Sequence, residues 1–198
     1  MKTILATRNK GKLREFETLL QGTGLDLTPL SDWPQVGELK EEGFTFLDNA
    51  RAKALEVTRI TGLPALADDS GLTVEFLDGR PGVFSARYGG PGATPAEKNR
   101  KLLAELEGVE ESRRRAAYVC VLVLTLPDGR EVSAQGRFEG LIALEPRGNH
   151  GFGYDPVFFV PEYGITVGQM DPRIKNRISH RALAAAELKK ALTGKELE

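Results

Sequence analysis

The sequence predicts an α/β fold on a mixed β-sheet, and three stretches carry that prediction. Lys2–Ala6 reads as a short apolar strand that leads through a polar, glycine-bearing loop into an amphipathic helix. Residues 116–126 form an almost unbroken apolar run, as expected of a strand near the middle of a sheet. Asp128-Gly129 turns that run straight back into Glu131–Phe138, an antiparallel hairpin that makes the sheet mixed.

Composition narrows the function classes. The chain of 198 residues is expected to form one domain, 1–198, and is ample for a substantial core. With 27 basic and 28 acidic residues the formal net charge is −1, which argues against a protein that coats nucleic acid polymers but leaves room for a local basic grip on a small phosphate ligand. Cys120 is the single cysteine, so no intramolecular disulfide and no cysteine metal cluster can form. No charged-then-apolar leader and no long apolar run is present, so the expectation is a soluble, cytoplasmic protein with no membrane partner.

The elements follow in order. After the first strand, Thr7-Arg8-Asn9-Lys10-Gly11-Lys12 precedes a helix with Leu13, Phe16, Leu19 and Leu20 on one face. A helix N-terminus presents unpaired N–H groups and the positive end of the helix dipole, so this loop suits a phosphate, and Lys12 adds a full charge. It matches neither the Walker nor the dinucleotide spacing, and an ordinary strand-to-helix connection with solvated lysines fits the same residues. Leu25–Leu30 is a second strand, broken by Ser31-Asp32-Trp33-Pro34. Thr45-x-x-Asp48 opens a second helix that runs to about Thr61 and stops at Gly62 and Pro64. Phe46, Ala50, Ala54 and Val57 face the sheet, while Asn49 and Lys53 share a neighbouring face. Lys53 is a solvated lysine unless Glu41 or the acids that follow face it.

Ala65–Val74 reads as strand, turn, strand, with Asp68, Asp69 and Ser70 delivered to a turn at Gly71. Successive strand residues point to opposite faces, so at least one of the two carboxylates is expected to meet a cleft or water. Two readings fit: an acidic turn, or a carboxylate pair balanced by positive charge, such as Mg²⁺ held by one or two carboxylates and substrate phosphates. Residues 77–91 are irregular, with Ser85, Arg87 and Tyr88 as distinctive polar groups. Thr94-Pro95-x-Glu97 caps a helix that carries Leu102, Leu103 and Leu106 and ends at Gly108.

In the last third, Gly148–Pro156 is a glycine-rich loop bearing Phe152, Gly153, Tyr154 and Asp155 ahead of the strand Val157–Val160. An exposed ring there can stack a nucleobase; a glycine-rich turn with Phe152 buried is the equal alternative. Arg173, Lys175, Arg177, His180 and Arg181 then form a basic cluster before a helix starting near Ser179, which suits an anion or balances an acidic surface.

These motifs, in this order, resemble the inosine triphosphate pyrophosphatase family, nucleotide house-cleaning enzymes of the Ham1/RdgB type. The matching residues are Ala6-Thr7-x-Asn9-x-x-Lys12, Glu41 before Asp48-Asn49-Ala50-x-x-Lys53-Ala54, Ala67–Leu72, Ser85–Tyr88, Gly151–Pro156 and Lys175-Asn176-x-Ile178–Arg181. Arg8 departs from the pattern, since many members have glycine there, and so does Asp171–Ile174. The resemblance implies an elongated α/β fold, related to that of Maf proteins, with a long mixed sheet, flanking helices and a cleft between two lobes. It implies Mg²⁺-dependent hydrolysis of ITP, dITP and XTP to the monophosphate and pyrophosphate, which keeps such nucleotides out of DNA and RNA, and a homodimer.

By the same resemblance, Thr7, Arg8, Asn9, Lys10, Gly11, Lys12 and Lys53 hold the triphosphate, with Ser70 beside it. Glu41 and Asp69 bind Mg²⁺, with Asp68 as a further ligand or a partner in proton transfer, and Asp69 is the proton acceptor. Phe152, Gly153, Tyr154 and Asp155 meet the purine, and Lys175, His180 and Arg181 present donors to its 6-keto oxygen. The rival readings are a Maf-like nucleotide pyrophosphatase and a nucleotide-binding module without turnover; the second would not need Glu41 and Asp69.

Overall fold

The structure, a computed structural model, describes residues 1–194. Its strands form one seven-stranded sheet in the order β2-β1-β3-β4-β5-β6-β7. The chain divides into two compact units, one made of Met1–Ser70, Cys120–Gly136 and the chain from His180 onward, the other of Gly71–Val119 and Arg137–Ser179. Three strands, β3 (Ala65–Val74), β4 (Arg115–Thr125) and β5 (Glu131–Ile142), contribute residues to both.

In the first unit, β1 (Lys2–Leu5) pairs in parallel with β2 (Asp26–Pro29) on one side and with β3 on the other, in the register Ile4↔Ala65 and Leu5↔Leu66. Helix α1 (Lys10–Leu19) starts at Asn9, whose Oδ1 accepts the N–H groups of Gly11 and Lys12 at 2.8 and 3.2 Å. Helix α2 (Phe46–Thr61) is capped by the Thr45 hydroxyl and closes on Gly62 at φ 67°, a conformation that favours glycine. Leu5, Phe16, Leu66, Leu122, Leu124 and Leu188 are buried together as the core of this unit. Helix α5 (His180–Thr193) seats against β5 at Gly136, where a Cβ would lie 2.1 Å from the His180 carbonyl oxygen and 2.3 Å from the Ala184 nitrogen. Only glycine lets the two backbones come this close.

In the second unit, Leu72, Val74, Leu102, Leu106, Val157 and Phe158 anchor the core. Helix α3 (Pro95–Glu105) carries the reciprocal Thr94/Glu97 capping box that its sequence predicts. Strands β6 (Phe158–Val160) and β7 (Ile165–Thr166) extend the sheet by antiparallel pairing from β5, so parallel and antiparallel pairs share it, as the hairpin predicts. Helix α4 (Pro172–Ile178) precedes Ser179, whose extended backbone separates it from α5.

Several boundaries differ from the sequence reading. The expected turn within 65–74 does not form: β3 runs unbroken from Ala65 to Val74, and both Asp68 and Asp69 are buried, at 1% and 5% exposure, where at least one was expected to meet a cleft or water. Asp, Ser and Gly favour turns when solvated, but here Lys12 lies 2.7 Å from Asp68 and Lys53 3.9 Å from Asp69, and these ammonium groups offset part of the cost of burying the two acids in a continuous strand. Strand β5 reaches Ile142 rather than Phe138, and the single helix expected from Ser179 is preceded by the short α4.

Candidate functional site

Strand alternation sends the two carboxylates of β3 to different helices. The Lys12 ammonium from α1 lies 2.7 Å from Asp68 Oδ2, which also accepts the Ser70 hydroxyl at 3.1 Å. Burial alone would raise the Asp68 pKa, but Lys12, then Lys53 and Arg181, more than reverse this and hold it at about 2. Asp68 is therefore an anion locked to its cation. Its second oxygen, Oδ1, is buried with no hydrogen-bond partner among the described residues.

Asp69 faces α2. Asn49 Nδ2 donates to Asp69 Oδ2 at 2.9 Å, and Asn49 Oδ1 accepts the Gly43 N–H at 2.7 Å, so one amide ties the acid to the loop after Glu41. The Lys53 ammonium, 6% exposed as a residue, lies 2.6 Å from Glu41 Oε1 and 3.9 Å from Asp69 Oδ1. Burial pushes the Asp69 carboxyl up to about 6, and the nearby Glu41 adds to this against the opposing pull of Lys53 and Asn49. Burial lowers the Lys53 pKa, yet Asp68, Glu41 and Asp69 together leave it raised. Two carboxylates thus converge on one buried cation.

Arg181, 4% exposed, donates from Nη1 to Glu15 at 3.0 Å and from Nη2 to the Ser70 hydroxyl at 3.2 Å, joining the Asp68 and Lys12 cluster through Ser70. His180, equally buried, precedes it at the start of α5. Lys10 and Gly11 open α1. Thr7 Oγ1 accepts the Asn9 N–H, so Thr7 and Asn9 build the loop with their own side-chain oxygens. Arg8 has a different use: its guanidinium donates to the carbonyls of Val36 and Gly37 at 2.8 and 3.3 Å, pinning the segment ahead of Glu41.

The second unit assembles a separate set. Asp155 is 3% exposed; its Oδ2 accepts the Phe152 N–H at 2.8 Å and the Lys175 ammonium at 2.9 Å, and its Oδ1 accepts the Tyr118 hydroxyl at 3.1 Å. Lys175 Nζ stands 4.7 Å from the centre of the Phe152 ring, and that ring is 39% exposed. Gly153 accepts from the Asn99 side chain through its carbonyl, and Tyr154 is buried with its hydroxyl on the Ser85 carbonyl. Of the predicted residues, Lys12, Lys53, Glu41, Asp68, Asp69, Ser70 and Arg181 come together in the first unit, and Phe152, Asp155 and Lys175 in the second. Glu15, Asn49 and Tyr118 take part in these contacts without being among the predicted site residues. Only Asn49, one helical turn before Lys53, carried a usable signal in its spacing.

A sequence profile of the Ham1 family matches residues 3–191. The chain is 49% identical to a dITP/XTP pyrophosphatase of Geobacter sulfurreducens over 98% of both chains, and 46% identical to one of Listeria monocytogenes over 96% of this chain and 94% of that one. Its fold superimposes on a Ham1 protein of Coxiella burnetii with a TM-score of 0.91 at 43% identity, covering 98% and 100% of the two chains. A Staphylococcus aureus Ham1 protein gives a TM-score of 0.89 at 34% identity, with 98% and 99% covered. A continuous strand that buries adjacent aspartates against two lysines, set in a fold and sequence shared end to end with these proteins, places the chain in the Ham1 family.

Proposed function

We infer that this chain is a nucleoside-triphosphate pyrophosphatase that hydrolyses ITP, dITP and XTP to the monophosphate and pyrophosphate. The observation that carries the reading is the Glu41–Lys53–Asp69 and Asp68–Lys12 cluster beside the N-terminus of α1, with Lys53 and both aspartates buried, in a chain whose relatives are named dITP/XTP pyrophosphatases. The setting we propose is the cytoplasm, as a homodimer acting within nucleotide metabolism.

The donor set fits Mg²⁺. Glu41 and Asp69 supply hard carboxylate oxygens that already share one cation, and Asp68 Oδ1 is a buried oxygen with no hydrogen-bond partner among the described residues. Among the described residues no group of three or more His, Cys, Asp or Glu side chains forms a cage, in keeping with an ion completed by substrate phosphates and water. When bound, Mg²⁺ supplies charge to offset that gathering on the pyrophosphate leaving group. Glu41 and Asp69, with Asp68 adjoining, are the residues we assign to it.

The rest is done by the chain. The α1 N-terminus, capped by Asn9, turns the positive end of its dipole toward phosphate oxygens, and Lys12 and Lys53 add charge. Asp69, oriented by Asn49, accepts a proton from the attacking water. Phe152 offers its exposed face to the purine and Lys175 a donor beside it, suited to a 6-keto oxygen. A donor that meets the 6-amino group of adenine is left unpaired, which disfavours ATP.

Phosphorus NMR of the products from ITP, XTP, dITP, ATP and GTP, with Mg²⁺ or EDTA, tests this. Monophosphate and pyrophosphate from ITP and XTP, lost in EDTA and in Asp69→Asn, is the expected result. Orthophosphate and diphosphate, or no turnover at all, would overturn it.

A further inference from the structure

We infer that Tyr118 is a positioning residue for purine recognition, acting through the Asp155 carboxylate. The inference rests on reading Phe152 and Lys175 as the groups that meet the base. Asp155 gives both oxygens to the protein, so its work is done inward. One oxygen takes the backbone N–H of Phe152 and the ammonium of Lys175, at 2.8 and 2.9 Å, and thereby fixes the cation at 4.7 Å from the ring it accompanies. The loop closes on that carboxylate tightly: Gly151 sits at φ 75°, and a Cβ there would lie 2.0 Å from Asp155 Oδ2.

A carboxylate held by one oxygen can still rotate about its last torsion, which is broad. The second oxygen is what stops it. Tyr118 Oη reaches Asp155 Oδ1 at 3.1 Å from β4, a regular element, and its ring packs on Phe158 with centroids 4.5 Å apart. Phe158 in turn meets Phe138 at 5.5 Å. Tyr118 is 7% exposed, so its hydroxyl serves the protein interior. The chain of contact runs from a strand through one carboxylate to the ammonium of Lys175 and the backbone of the glycine-flanked Phe152. Removing the hydroxyl leaves Oδ1 buried without this donor, and the carboxylate turns to find another. Lys175 and the Phe152 loop then lose their fixed relation, while nothing at the phosphate-handling residues changes.

Tyr118→Phe keeps the ring and deletes only the hydroxyl. We expect the KM for ITP and XTP to rise roughly five- to tenfold with kcat within about twofold, the mark of binding lost rather than chemistry lost. Affinity for IMP, measured by calorimetry, should fall by the same factor while affinity for inorganic pyrophosphate holds. Lys175→Met made in the Tyr118→Phe background should cost little more than Lys175→Met alone, because both act along one path. Additive losses, unchanged IMP affinity, or equal losses for IMP and pyrophosphate would overturn the inference. Hydrogen exchange at the Phe152 amide in the ligand-free protein is independent of any substrate: faster exchange in Tyr118→Phe supports the inference, and unchanged exchange refutes it. If the unaltered protein binds neither IMP nor pyrophosphate, the proposed function fails, and the Phe152 amide still decides the role of Tyr118.

Discussion

At the scale of single residues, the adjacent aspartates have opposite electrostatic fates, and pH separates them. The Asp68 pKa is depressed from 3.8 to about 2, so in metal-free protein its contribution to stability is complete above the unfolded value and is lost as pH falls through about 2. The shift corresponds to roughly 2 kcal/mol. Lys12→Met should remove most of it and move acid unfolding to higher pH, which circular dichroism in EDTA would report. Asp69 runs the other way. Its pKa is raised to about 6, so keeping it ionised costs stability above that pH, and the cost is relieved as pH falls toward 4. Arg181 also looks different once its surroundings are known. Its guanidinium is buried against Glu15 and Ser70, so Arg181→Ala takes this cation from a partly buried carboxylate. We expect a loss of about 1–3 kcal/mol, seen as a lower Tm, before any effect on base choice.

At the scale of elements, the local signals in the sequence were reliable where they were covalent or capping in origin. Thr45 and Thr94 cap the helices they were expected to cap, and the Asp128-Gly129 turn joins β4 to β5. They failed at 65–74, where the composition of a turn was overruled by lysines distant in sequence, whereas the last helix starts at His180, as expected near Ser179, and only the short α4 before it had no signal. No periodicity within a segment reports a partner fifty residues away. Helix α2 shows the consequence for ligands, because Asn49 and Lys53 on one face organise Asp69 and Glu41. Lys53→Met should lower Tm in EDTA by leaving two carboxylates without their cation, and millimolar Mg²⁺ should restore several degrees, more than it adds to the unaltered protein. An equal response from both proteins would count against Glu41 and Asp69 as a shared cation seat. Gly136→Ala tests the seating of α5: its methyl group would strike helix backbone, which cannot swing aside, so a loss above about 3 kcal/mol and rapid amide exchange along α5 are expected.

At the scale of the whole molecule, the order of motifs along the chain made the α/β class and the residue types of the site legible, and it was the pairing between distant segments that stayed hidden. Lys12 with Asp68, Asn49 with Asp69 and Tyr118 with Asp155 are contacts that only the fold can specify. The first unit is assembled from three separated stretches of chain, and its last helix supplies Arg181 to Ser70 and Glu15. Ending the chain after Ser179 should therefore leave that unit unable to hold its acids, with limited proteolysis cutting within 1–70 that the longer chain resists. The same arrangement sets a schedule for biosynthesis. A ribosome delivers Lys12, Asp68 and Asp69 early, but the arginine that closes around them emerges more than a hundred residues later. Until then the nascent chain holds the Asp68-Asp69 strand without its final cover, so the first unit closes only once Arg181 has been made.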